Sequence, residues 1–430
     1  MYTYYLSLAW RNFRNQPWYN FLITLILGAG VGVFMTTYSL LSVLSGDPIP
    51  QKSQRLLHLQ IGTGIDNDQS IALMPSTVVQ ALRKTLPEVP LVAITYGFGG
   101  VESDRGDRRA ADLLRFANAG FFQMFDAPLL HGRGWSAEEE TQGVPVAVIG
   151  REFAESMFDT AAAVGRSIVV ADTRFRVIGI LDDWQPTPRY YDLSVGAYAP
   201  ADQVYLPLSS VRALDDDIFM ARSCPAGVSP NVAPAELEHS RCAWLSVWAL
   251  LQDPVQRSLV QSRVETLLRQ GKQEGWLGKE SGSRVENVRD LLRRKAVVPG
   301  GVRFGMLLAV GFLLLCLINA AGLLLAKCLR RSQEIGVRRA LGASRLDIAL
   351  QFMTESSLLG LVSSAFGTAF AAIGVHLAQQ LPKGYMQLAD FSLPMLLLAL
   401  ATSVIVGIAA GLFPAWRASQ VEPAIQIKID

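Results

Sequence analysis

The most specific constellation in this sequence is basic, and its spacing suits docking rather than catalysis. Between two long apolar runs stands Arg330-Arg331-Ser332-Gln333-Glu334-Ile335-Gly336-Val337-Arg338-Arg339-Ala340-Leu341-Gly342-Ala343-Ser344-Arg345. Glu334 and Arg338 are four residues apart, which pairs opposite charges on one helix face. Gly342-Ala343-Ser344 is a small-residue break that ends such a helix. A compact basic helix of this kind can seat in a partner's groove, with Gly336 and Gly342 permitting close backbone contact. Two plainer uses stand as alternatives: satisfying membrane topology, and meeting anionic lipid.

The other candidate groups exclude more than they suggest. A phosphate-binding loop needs GxxxxGK[ST], so that backbone amides and a lysine wrap the phosphates. Gly271-Lys272 is followed by Gln273 and Gly278-Lys279 by Glu280, with no glycine five positions before either pair. Neither GxSxG, HExxH nor a Ser/His/Asp arrangement is present. Consecutive carboxylates at Glu138–Glu140 and Asp215–Asp217 read as solvated loops, because calcium loops alternate their ligands around a glycine. Asp182–Asp183 reads as a loop at a strand end. The four histidines, His58, His131, His239 and His376, are scattered, so no metal site is expected. Cys224 and Cys242 flank a stretch rich in Pro, Gly and Asn. A disulfide there would stabilise by about 3 kcal/mol in the chain-entropy view and would suit an oxidising compartment. Zinc is the rival reading, without a CxxC to support it, and Cys316 and Cys328 read as free thiols. With a formal charge of only +2, no nucleic-acid partner is expected.

The elements that must position the basic group are membrane spans. Half of the 430 residues are apolar and 18% are charged, against about a quarter charged in soluble domains. Four runs reach the roughly 20 residues that a bilayer core requires: 18–45, 302–326, 348–381 and 393–416. The first is too long for a signal-peptide core and has no cleavage site after it, so it reads as a retained anchor. Gly28 with Gly32, and Gly407 with Gly411, form GxxxG spacings that let helices pack closely. Lys and Arg concentrate before the first span (Arg11, Arg14), in the 327–347 loop and in the 417–430 tail, whereas the 382–392 loop has only Lys383. Both termini and the 327–347 loop are therefore expected in the cytoplasm, with 46–301 outside. The aromatic residues Tyr2, Tyr4, Tyr5 and Trp10 make 1–17 an expected interfacial amphipathic helix.

The external segment 46–301 reads as α+β. Ser167–Leu181 is a hairpin candidate turning near Asp172, and Val144–Ile149 is a short strand. Pro75–Leu86, Glu152–Phe158, Pro254–Gln273 and Ser283–Arg294 have helical spacing. The last is expected to lead directly into the second span, as a lever between compartments or as a plain connector.

The basic stretch, with Gln351-Phe352-Met353-Thr354-Glu355-Ser356 beyond it, resembles the RxxEIGxxRALGAS…xxES signature of the MacB/FtsX-like permeases, membrane subunits of mechanotransmitting ABC transporters. Ala9–Arg14 is similar to the family's opening helix. Asn118–Phe125 with Leu130–Arg133, and Val146–Phe158 through Ile180, resemble its periplasmic domain, and Pro414–Ala418 with Glu422-Pro423-Ala424 its closing motif. The likeness is weakest over 186–244, which reads as an insert. The resemblance implies four spans, a large α+β extracytoplasmic domain, and no ATPase in this chain, since only about 17 residues precede the first span. It identifies Glu334, Ile335, Gly336, Arg338, Arg339, Ala340, Leu341, Gly342, Ala343 and Ser344 as the coupling element for a separate ABC ATPase that carries ATP and Mg. It further implies pairing with a second permease copy or a paralogue, and export of a peptide, antibiotic or other small molecule with a periplasmic adaptor. Regulation of a periplasmic partner, and lipoprotein release, are the alternatives.

Overall fold

The computed structural model describes residues 11, 14, 16–63, 73–104, 106, 108–214, 218–225, 227–381, 386, 388 and 392–420. The expected amphipathic segment before the first span, Asp215–Asp217 and Glu422-Pro423-Ala424 lie outside them. The chain forms two compact units, Met1–Gly46 with Val298–Asp430, and Asp47–Val297.

The first helix, α1 (Pro17–Ser45), opens the first unit with Pro17 in its first turn, where a missing N–H costs nothing. The second unit follows. Its strands are β1 (Leu56–Gly62), β2 (Leu91–Ser103), β3 (Arg108–Ala117), β4 (Leu129–Gly132), β5 (Val146–Gly150), β6 (Ser167–Val170), β7 (Thr173–Leu181), β8 (Val204–Pro207), β9 (Phe219–Met220), β10 (Ser246–Leu250) and β11 (Gly282–Asn287). They join in the order β11-β1-β10-β2-β3-β8-β5-β7-β4, with β6 against β2 and β7, and β9 against β2. Pairing is antiparallel except at β3–β8 and β5–β7. Helices α2 (Ser76–Thr85), α3 (Phe121–Met124), α4 (Ala137–Thr141), α5 (Arg151–Phe158), α6 (Arg257–Gln273) and α7 (Val288–Arg294) complete it. Two apolar cores result, one including Leu57, Leu114, Phe153 and Trp244, the other Phe121, Tyr205 and Trp248.

Several local expectations hold at the residue level. The β6–β7 hairpin turns on Ala171 and Asp172, both at positive φ, the backbone a tight hairpin requires. Cys224 and Cys242 form a disulfide, while Cys316 and Cys328 are buried free thiols.

Other expectations fail for tertiary reasons. Ser283–Arg294 is not one helix: residues 282–287 pair with β1, Ile61 opposite Ser283 and Leu57 opposite Asn287. Sheet pairing with β1 overrides the helical spacing. Nor does α7 run into the second span, because Ala296 takes φ 45° and Pro299 caps the next helix. Residues 186–244 are not merely peripheral to the sheet, since β8 sits between β3 and β5 inside it. Glu138–Glu140 is not a solvated loop either. Ser136 and Glu139 form a capping box on α4, and Glu140 accepts hydrogens from Asn118 Nδ2 and Ala119 N. By contrast, Asp182 and Asp183 do lie in a loop just past the end of β7, as expected, where Arg151 binds both.

The first unit resumes with α8 (Gly300–Arg330), α9 (Ser332–Ala340), α10 (Arg345–Gln379) and α11 (Leu393–Ser419). Helices α1, α8, α10 and α11 are each long and apolar enough to cross a membrane. Glycines set their separations. A Cβ on Gly28 would lie 2.5 Å from Phe366 Cβ, and one on Gly32 2.4 Å from Phe370 Cβ, so α1 meets α10 there. On α11, a Cβ at Gly407 would lie 2.6 Å from the Gly360 Cα and one at Gly411 2.0 Å from Ser356 Oγ.

Candidate coupling site

Helix α9 follows α8 after a single residue, Arg331. It stops where Gly342 takes φ +99°, a left-handed conformation that glycine adopts freely. Ser344 then begins α10 through a capping box with Asp347. The break expected at Gly342-Ala343-Ser344 thus serves both neighbours, ending one helix and starting the next.

The two faces of α9 differ. Ile335 and Gly336 are buried, and Ile335 packs with Cys328, Ile348, Phe352, Ala415 and Ala418, with Ala343 at the edge of the same cluster. Val337 and Leu341 are 53% and 83% exposed, and Leu346 on α10 is 67% exposed. Ala340 closes the helix. Apolar side chains this open, beside arginines, form a surface suited to a protein partner.

Beneath α9 runs a continuous set of polar contacts. Glu334 pairs with Arg338 on the helix surface, and Arg331 Nε meets Glu334 Oε2 at 3.1 Å. Arg331 Nη1 reaches Glu355 Oε2 at 3.3 Å. The other Glu355 oxygen is bound by Lys327, whose Nζ also donates to Asn20 Oδ1 at 2.8 Å. Arg338 Nη1 donates to Gln351 Oε1 at 2.8 Å, and Arg339 Nη1 to the Ser419 carbonyl at 3.3 Å. Arg330 stacks over Tyr19 at 5.2 Å. Residues on α1, α8, α10 and α11 are therefore tied to one another and to α9.

Sequence reasoning placed Lys327 in the cytoplasmic loop as a topology signal. The structure places it inside α8, 3% exposed. Asn20, fully buried on α1, was not singled out at all. The available signal was a lone amide in an otherwise apolar run, since a polar group there needs a partner. Among the described residues no group of three or more His, Cys, Asp or Glu is placed to hold a metal.

Four membrane-length helices with a large α+β domain between the first and second define a polytopic membrane protein of the permease type. Residues 21–267 match the MacB-like periplasmic core domain, and residues 306–423 the FtsX-like permease C-terminal. The chain belongs to the MacB/FtsX-like ABC permease family. It is 27% identical over 304 residues to the macrolide export ATP-binding/permease protein MacB of Bdellovibrio bacteriovorus, covering 70% of this chain and 41% of that one. It is 26% identical to the pyoverdine export ATP-binding/permease protein PvdT of Pseudomonas entomophila, covering 71% and 41%. The chain thus spans about two fifths of the length of these relatives. The periplasmic region of MacB from Actinobacillus actinomycetemcomitans aligns with 60% of this chain and 100% of its own at a TM-score of 0.39 and 16% identity.

Proposed function

We propose that this chain is the permease subunit of a MacB-type ABC exporter, and that α9 is the element through which a separate ATPase drives it. The observation that carries the reading is the contact path Arg338–Glu334–Arg331–Glu355–Lys327–Asn20. It begins at an exposed helix and ends on α1, the helix that precedes the large domain. ATP and Mg belong to the partner; this chain supplies the docking helix and the levers. Placement in the inner membrane, with both termini cytoplasmic and Asp47–Val297 periplasmic, follows from the distribution of Lys and Arg. Two permease chains, identical or paralogous, would assemble side by side, with a periplasmic adaptor receiving the cargo. The named relatives export a macrolide and pyoverdine, so the cargo class proposed is a peptide, antibiotic or other small molecule.

The test is co-purification of the mildly solubilised chain with its partners, for wild type and Glu334→Lys, with ATPase activity assayed on each. Recovery of an ABC ATPase with wild type and its loss with the variant is the expected result. Recovery of no ATPase, or equal recovery with both, overturns the coupling role. A co-purifying cell-wall hydrolase in place of an adaptor would turn the reading from export to mechanical signalling.

A further inference from the structure

The external unit contains a cavity of about 380 Å³ that the coupling path does not touch. Its size falls within the roughly 300–1,000 Å³ of small-molecule sites. One part of the wall is apolar: Val79 from α2, Leu208 and Val211 after β8, and Trp244. Trp244 is 3% exposed, and its indole N–H is anchored on Ser76 Oγ at 3.1 Å, so that surface is held rigidly.

Another part of the wall carries a charged pair divided by one amide. Asn118 Oδ1 accepts from Arg83 Nη2, and Asn118 Nδ2 donates to Glu140 Oε1. Asn118 is itself fixed by donation from the Ala93 amide to Oδ1 at 3.0 Å. A guanidinium and a carboxylate are thereby presented side by side without neutralising each other directly. The guanidinium has five N–H donors, so one bond to Asn118 does not exhaust it. A third part of the wall, with Pro234, Ala235 and Glu238, belongs to the loop that the Cys224–Cys242 disulfide closes. Glu238 is held by Arg212 across the same rim, so the charges for a ligand to meet are Arg83 and Glu140, whose Oε2 already accepts from the Ala119 amide at 2.6 Å and whose oxygens each keep a further lone pair.

We propose that this cavity binds a zwitterionic amino acid with a large apolar side chain. Its α-carboxylate lies on Arg83, its α-ammonium on Glu140 and its side chain against Val79, Val211 and Trp244. Opposite charges on neighbouring groups match the close α-ammonium and α-carboxylate of such a ligand. The Ser209 hydroxyl, buried between Leu208 and Val211 without a partner among the described residues, is a further polar group on that wall which a ligand could meet. A ligand of single net charge would meet one of the two groups unfavourably. The disulfide-closed loop shapes the mouth. This site is independent of the ATPase-coupled reading above and stands or falls separately from it.

The experiment uses the full chain in lipid nanodiscs, with radiolabelled L-phenylalanine in equilibrium dialysis. Phenylalaninamide, which lacks the carboxylate, and N-acetylphenylalanine, which lacks the ammonium, are the competitors. Saturable binding is expected, with each competitor at least about tenfold weaker than phenylalanine itself, the size of one lost charge-assisted hydrogen bond. Arg83→Gln should abolish discrimination against the amide while keeping discrimination against the acetylated compound. Ala235→Trp, at an exposed position on the mouth, should block binding while leaving the thermal melting profile unchanged. Three results each overturn the proposal: no saturable binding at millimolar ligand, equal affinity for all three compounds, or binding unaffected by Ala235→Trp.

Discussion

The two units each bury a cluster of charged side chains, and the clusters are built differently. In the external unit Arg115, fully buried on β3, pairs with Asp192 at 2.5 Å and Asp202 at 2.9 Å. Arg189 pairs with the same Asp202, Tyr191 donates to it at 2.9 Å, and the Arg115 guanidinium lies over the Tyr191 ring at 5.4 Å. Burial alone would raise the Asp202 carboxyl, but Arg115 and Arg189 outweigh it and hold it below the usual range. This cluster closes on itself between β3 and the 189–202 segment. The membrane unit's cluster is open: from Lys327 and Glu355 it continues through Arg331 to an exposed helix. A closed cluster fixes one arrangement of a sheet. An open one that links four helices can pass a displacement along, which is why the coupling role is proposed for it.

The largest expected effect comes from breaking the closed cluster. Arg115→Met leaves Asp192 buried without a counter-charge and Asp202 with Arg189 alone, which should cost about 3–5 kcal/mol and appear as a lowered denaturation midpoint of the external unit. Lys327→Met should likewise destabilise, by leaving Glu355 with Arg331 as its one remaining ion-pair partner among the described residues, and the double change Lys327→Met with Glu355→Met should recover most of that loss. If the open cluster transmits motion, the double variant stays folded, keeps its ATPase, and loses transport. Recovery of transport along with stability would make the two clusters equivalent, and the contrast between them would fall.

A pH effect should separate the units further. His58, buried against Trp248 at 4.9 Å and held by Ser246 Oγ at 3.0 Å, has its pKa lowered to about 3, first by burial and then by Arg294 and Lys295. The folded value lies below the unfolded one, so below about pH 6.5 only the unfolded chain takes up this proton. Stability of the external unit should therefore fall by about 1.4 kcal/mol per pH unit from about 6.5 towards 3. Denaturation at stepped pH should show that slope, and His58→Gln should flatten it between pH 6.5 and 4. The smallest stability effect belongs to Glu334→Ala, about 0–1 kcal/mol, because its ion pairs are partly exposed. ATPase binding should nonetheless weaken in that variant, which a titration with the purified ATPase would measure.

Local patterns made much of this protein readable. Spans appear as uncharged runs because a bilayer leaves no alternative to satisfied helices, and the turn at Asp172 and the break at Gly342 appear because few residues accept their backbones. The reading failed where distance along the chain hid a neighbour. Gly282–Asn287 became a strand only because β1 lay beside it, and nothing local within 186–244 shows that Val204–Pro207 lies between β3 and β5.

By itself, the sequence determined the four spans, the α+β character of the external segment, the short basic helix after the second span and the family. These depend on periodicity, charge and short motifs, all of which act between residues close in the chain. Only the tertiary structure decided that Lys327 meets Asn20, 307 positions away, that Arg115 finds Asp202, 87 positions away, and that Arg83, Asn118 and Glu140 border one cavity. A buried charge must find a partner, but the chain does not record locally which one the fold will bring.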